Sequence, residues 1–217
     1  MPLLAKEQGT QFPPTPEGIH LAVCYMVADL GTHLDELYSK DRRQVVIGWE
    51  LPQERIEVER DGEKVDLPRA ISKRYTLSLS DRATLRHDLE AWRGRAFTAK
   101  ELDGFDLEKV IGSGCQMQVI HAQNTQGREY AKINSIMALI KGTPVPKLEN
   151  EPIFFSLDDF GGGDLPENLP KWVKEEIGKS FEYGGGKDEP VAADVDAMTE
   201  APVLDEAETE DEDNLPF

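Results

Sequence analysis

Cysteine is scarce in this 217-residue chain. Cys24 and Cys115 stand far apart and form no metal-type pair, which excludes a disulfide-stapled scaffold and points to reduced thiols in a cytoplasmic protein. No apolar run is long enough to cross a bilayer. The N-terminal stretch carries Gln8, Gln11 and several prolines in place of the apolar core of a secretory leader, so no membrane association is expected. Catalytic signals are also thin. Gly112–Cys115 ("GSGC") lacks the Lys-Ser/Thr of a phosphate-binding loop and reads as a turn into a strand. Four scattered histidines support no Ser-His-Asp or Cys-His arrangement. Asp158-Asp159 falls in a Gly-rich connector and reads as solvated loop, not a two-metal site. A zinc site from His20, Cys24, Cys115 and His121 would match no usual Cys/His spacing. The expectation is a protein that is not an enzyme and holds no metal or cofactor.

What is abundant is acid, and it is unevenly placed. The formal net charge is -18, and residues 187–217 carry -11 of it, with 12 Asp/Glu against one Lys. Between Thr10 and Asn150 there are 21 acids and 19 bases. The body is therefore close to neutral, and the low overall pI does not exclude a polyanionic ligand. The 187–217 tract has too few apolar residues to offset its ordering entropy, and it is expected to be disordered.

Periodicity organises the rest. Residues 1–16, with Pro13, Pro14 and Pro16, read as an irregular arm. Glu17–Leu30 alternates with Ile19, Leu21, Val23, Tyr25 and Val27 on one face, which predicts a long strand. Arg43–Leu51 repeats the pattern with Val45, Ile47, Trp49 and Leu51 together, and Lys73–Ser80 predicts a third strand. The stretch around Asp61-Gly62 could form an extra hairpin of its own. The period then changes: Ser80 is the expected N-cap of a helix with Leu85, Leu89 and Trp92 on one face and Gly94 at its end. A short helical piece is expected around Leu107–Ile111, then strands at Cys115–Ala122 and Arg128–Leu139.

The fold class expected is mainly β: an OB-fold-like Greek-key barrel of five strands, with one helix between strands 3 and 4 and a disordered acidic tail. This domain spans 17–150. Residues 151–186 form a Gly/Pro-rich connector in which Leu169, Trp172, Val173, Ile177 and Phe181 lie along a short amphipathic helix. That helix is either packed on the barrel or a second docking element.

The chain finishes on Asp211-Glu212-Asp213-Asn214-Leu215-Pro216-Phe217. An acid run, one aliphatic residue, Pro and Phe resembles the C-terminal tip of bacterial and phage single-stranded DNA-binding proteins. The likeness is close over these seven residues. Over the body it reaches only to element order and a general similarity to phage-encoded members. The resemblance implies docking of Asp211, Glu212, Asp213, Leu215, Pro216 and Phe217 on replication, recombination and repair proteins, and competition with DNA for the protein's own basic groove. Chemically, Phe217 can fill an apolar socket while its carboxylate meets a cation at the rim.

Sequence-tolerant grip on a single strand needs cations for phosphates and π-faces for bases. Arg42 and Arg43 enter the second strand, Lys73 and Arg74 the third, and Tyr130 and Lys132 share one side of the last. Tyr38 sits in a loop beside three bases. Trp49 and Tyr75 are candidate stackers too, although alternation groups them with Val45, Ile47, Leu77 and Leu79 and so favours the core. The reading is a protein that binds and protects single-stranded DNA, with self-association left open. The alternative is an interaction adaptor at replication forks whose β domain binds a protein or sugar.

Overall fold

The computed structural model describes residues 13–35, 40–60, 63–125 and 127–184. Tyr38 and the whole Asp211–Phe217 tip lie outside them, as do residues 1–12 of the arm. Five strands build a curled antiparallel half-barrel, mainly β and compatible with an OB-like fold. They are β1 (Gly18–Asp35), β2 (Lys40–Arg60), β3 (Glu63–Thr76), β4 (Gly114–Gln123) and β5 (Glu129–Met137), in the spatial order β3-β2-β1-β4-β5. β1 serves both halves of the sheet. Its start, Gly18–Val23, pairs with β4, and Val23–Asp35 pairs with β2.

Between β3 and β4 run α1 (Thr84–Arg93), the single turn α2 (Ala99–Leu102) and a 3-10 turn at Leu107–Val110. Leu85, Leu89 and Trp92 of α1 enter the barrel core with Ala22, Cys24, Val45, Ile47, Trp49, Leu51 and Tyr75. Gly94 ends the helix in the left-handed region, where its N–H reaches back to Ala91 O. The start differs from expectation: Ala83, not Ser80, is the N-cap, and no side chain caps it. Asp81 is drawn instead towards Arg86.

One further expectation holds and two change. The residues flanking Asp61-Gly62 do pair with each other as a hairpin, joined to the second and third strands instead of standing apart from them. Residues 55–60 and 63–68 pair as outward extensions of β2 and β3, beyond a register break between Leu51 and Arg55 that accommodates Pro52. The third strand begins earlier and stops at Thr76, so Leu77 leaves the sheet and is 42% exposed. In β1 the barrel-facing residues are Ala22, Cys24 and Val27, not the odd-numbered set throughout, because a bulge between Cys24 and Met26 switches the parity.

The largest departure is a second layer. Residues 149–184 cross the outer face of β1 and β2. They contribute β6 (Ile153–Phe155), parallel to Met26–Ala28 of β1, then the helix α3 (Lys171–Gly178) and the single turn α4 (Phe181–Gly184). Met26, Ala28, Leu30 and Val46 meet Ile153, Phe155, Leu169, Val173 and Ile177 in a core of their own. The amphipathic helix is thus packed on the barrel. Gly31 permits the contact: its φ is +81°, and a Cβ there would stand 2.5 Å from Ser180 Cβ.

Candidate functional site

Each cation expected at the strand mouths can be followed to its partner. Arg43 on β2 faces the second layer, where its guanidinium meets Asp29 Oδ2 at 2.5 Å and Asp158 Oδ1 at 2.8 Å. Those hydrogen bonds, Asp29 first, hold it firmly protonated. Asp29 is itself buried and also accepts from the Gly31 and Leu157 amides. Arg74 reaches Glu176 of α3 at 2.7 Å and Gln44 at 3.3 Å. Arg42 pairs with Asp35 at 3.4 Å. Lys73 lies on the other side of β3, where Asp88 of α1 accepts from it at 2.7 Å and from the Tyr75 hydroxyl at 2.8 Å.

These residues therefore do not form one basic track. Arg43 and Arg74 anchor the second layer from outside the barrel, and Lys73 pins α1 from within it. The neutralising acids are as close as a phosphate would have to be. At the other end of the layer, the fully buried carboxylate of Glu50 accepts from the Glu149 and Asn150 amides and from Asn150 Nδ2. Glu182 of α4 accepts from both Thr32 N and Thr32 Oγ1.

The clasp at Glu176 carries a pH signature. Burial alone would raise its carboxyl pKa, but the Lys179 hydrogen bond and the Arg74 charge outweigh that and lower it. A folded pKa below the unfolded value near ~4.3 gives stabilisation that is complete above that value and fades as pH falls through the folded one. Glu176→Gln should therefore flatten part of the acid limb. Thermal melts at pH 7, 5 and 3 are expected to show wild type losing more stability than the variant below pH 5. Parallel curves would remove Glu176 from the account.

The expected aromatics are also placed differently. Trp49 is fully buried, 5.6 Å from the ring of Trp92, and Tyr75 is 2% exposed. Burial of the pleat's inner face takes both out of reach of a base. Tyr130, expected outward, retains only 9% exposure and offers no open stacking platform. Lys132, on the same side of β5, is exposed.

His20, Cys24, Cys115 and His121 do not gather as a ligand set. Both thiols lie in the barrel core, and desolvation pushes Cys24 up to about 12. Both imidazoles instead hold the arm: His20 Nε2 lies 2.8 Å from Pro16 O, and His121 Nε2 lies 2.9 Å from Thr15 O. Their Nδ1 atoms face Glu54 and Glu129 at 3.1 and 3.0 Å. Among the described residues no cluster of three or more His, Cys, Asp or Glu could hold a metal ion.

No family model matches this chain, and no curated protein matches its sequence. Function has to be argued from the surfaces themselves. One is an apolar cleft of about 290 Å³ lined by Leu77, Ser78, Leu79, Leu85, Phe105 and Leu107, without a titratable side chain among them. The other is the outer face of β4 and β5, on which Lys132 stands. Gln118 and Asn134 escaped the sequence reading. For Gln118 the signal was available, since in β4 the even positions alternate with the buried Cys115, Met117 and Val119; Asn134 sits at a register break of β5, where alternation gives none.

Among the described residues, no helix is long and apolar enough to cross a membrane.

Proposed function

We propose that this chain is a non-enzymatic single-stranded DNA-binding protein, built on an OB-like Greek-key barrel, that recruits replication, recombination or repair enzymes through its acidic tip. The observation that carries the reading is one combination: a half-barrel in the strand order β3-β2-β1-β4-β5 together with the motif Asp211-Glu212-Asp213-Asn214-Leu215-Pro216-Phe217. Barrels of this class bind oligonucleotides on open strand faces. The acid run raises encounter rates with basic sockets, and Leu-Pro-Phe supplies the apolar plug.

Because Trp49 and Trp92 are buried, tryptophan quenching is a poor reporter here. Anisotropy of a labelled oligo-dT, titrated with the full chain across a salt series, reads binding directly. Affinity for oligo-dT well above that for a duplex, falling as salt rises, is expected from counterion release. Removing residues 205–217 should tighten the low-salt affinity several-fold, because the acid run then no longer competes with DNA. A salt slope near zero would transfer the assignment to the adaptor reading. That reading is favoured by one observation: Arg43, Lys73 and Arg74 are already neutralised internally.

A further inference from the structure

The second layer occupies the outer face of β1 and β2, so a ligand strand needs another path. We propose that single-stranded nucleic acid lies along the outer face of β4 and β5, held by Arg128, Lys132 and Lys141. This rests on the reading that the chain binds single-stranded DNA, and it moves the site away from the β2–β3 face.

Three observations carry it. The first is charge. With Cys115, Met117 and Val119 of β4 and Ala131 and Ile133 of β5 turned to the core, the outward residues of both strands include no carboxylate; the one acid in either strand, Glu129, has the parity of Ala131 and Ile133 and meets His121 Nδ1 at 3.0 Å. The chain as a whole has 42 acids against 24 bases, so a strip without acids is where a phosphate chain can approach it.

The second is availability. Arg128, Lys132 and Lys141 are exposed and make no ion pair among the described residues. Arg43, Lys73 and Arg74 are each consumed by an acid of their own fold. Arg128 and Lys132 lie on one side of the chain four residues apart, about 13 Å at the strand rise. Lys141 sits in the turn beyond the end of β5. The three cations thus follow the length of one strand.

The third is hydrogen-bonding chemistry. Asn134 Nδ2 donates to Gln118 Oε1 at 2.8 Å, and Ser135 Oγ shares that acceptor at 3.4 Å. The Gln118 amide is fixed in place, with its own N–H groups and the Asn134 carbonyl left for base edges or sugar. Ile120, opposite Lys132 in the ladder, adds an apolar surface for a base. A second copy of this chain fits less well. Two such faces packed together would bury cations against cations with no acid to pair them.

The experiment is anisotropy of labelled oligo-dT at low salt with the full chain, comparing wild type, Arg128→Glu/Lys132→Glu, and Lys64→Glu as a control on the exposed β3 extension. The double reversal is expected to weaken binding at least tenfold and to lower the salt slope by about two, while the control stays within twofold. Both sites are exposed, and melts are expected to match wild type within a few degrees. Equal binding by the double variant overturns this site while leaving DNA binding intact. No binding by wild type overturns the underlying reading instead. Weaker binding together with a loss of sedimenting mass would make the face a self-interface and overturn the proposal.

Discussion

A chain cut after Asn150 is expected to lose its fold, while one cut after Gly184 keeps every contact described above. The shorter cut removes Ile153, Phe155, Leu169, Val173 and Ile177 from the outer core and uncovers Met26, Ala28, Leu30 and Val46. Burial of a large side chain contributes about 1.5–3 kcal/mol. Met26, Leu30 and Val46 stay on an ordered sheet, so losing their cover is not offset by any entropy released at those residues.

The polar losses act in the same direction. Arg43 would keep Asp29 but lose Asp158, the buried Asp29 would lose the Leu157 amide, and Arg74 would lose Glu176. The uncovered apolar strip on β1 and β2 would invite association. Solubility and a cooperative melt are the readouts. A 1–150 chain that melts within a few degrees of the full chain would show the second layer to be an appendage. The 1–184 chain should melt with the full-length protein.

That layer also explains what could be read in the sequence and what could not. β2 was legible because its inner face is apolar along Val45, Ile47, Trp49 and Leu51, while its outer face, although also buried, runs Val46, Gly48 and Glu50 and so leaves an alternation in the sequence. α1 was legible because Leu85, Leu89 and Trp92 repeat at helical spacing and Gly94 stops them. β1 was legible as a strand, but the facing of its residues was not, because both its faces are apolar: Ala22, Cys24 and Val27 inside, and Met26, Ala28 and Leu30 outside. A strand apolar on both faces has no polar phase to set its parity, and its two register breaks shift what phase remains.

The candidate site was harder for a different reason. A sequence shows that Arg43 and Arg74 are cations near strand ends. It does not show that Asp158 and Glu176, far along the chain, come back to neutralise them. Lys132 escapes that fate: it is exposed, and no acid pairs with it among the described residues. Whether a cation is spent inside a fold or left for a ligand is decided by tertiary return, which local pattern does not encode.

Trp49→Ala is expected to cost about 3–5 kcal/mol, the range for emptying an aromatic site in a close-packed core. Trp49 is fully buried and packs with Trp92, and its volume lies between β2 and α1, so the helix has no smaller partner to fall onto. Trp49→Phe is expected to behave quite differently. The Trp49 indole N–H is buried without a hydrogen-bond partner, so the phenyl ring removes an unsatisfied donor along with some volume. The two effects oppose, and the net change should stay within about 1.5 kcal/mol. Trp92→Phe lacks that compensation, since Trp92 Nε1 donates to Gly114 O at 2.9 Å, and it should cost more than Trp49→Phe. Denaturant midpoints for the three variants test this order. Oligonucleotide titration of Trp49→Phe then separates the two roles this residue could have had: affinity within twofold of wild type marks a core residue, and a tenfold loss in a chain of unchanged stability would mark a base-stacking one.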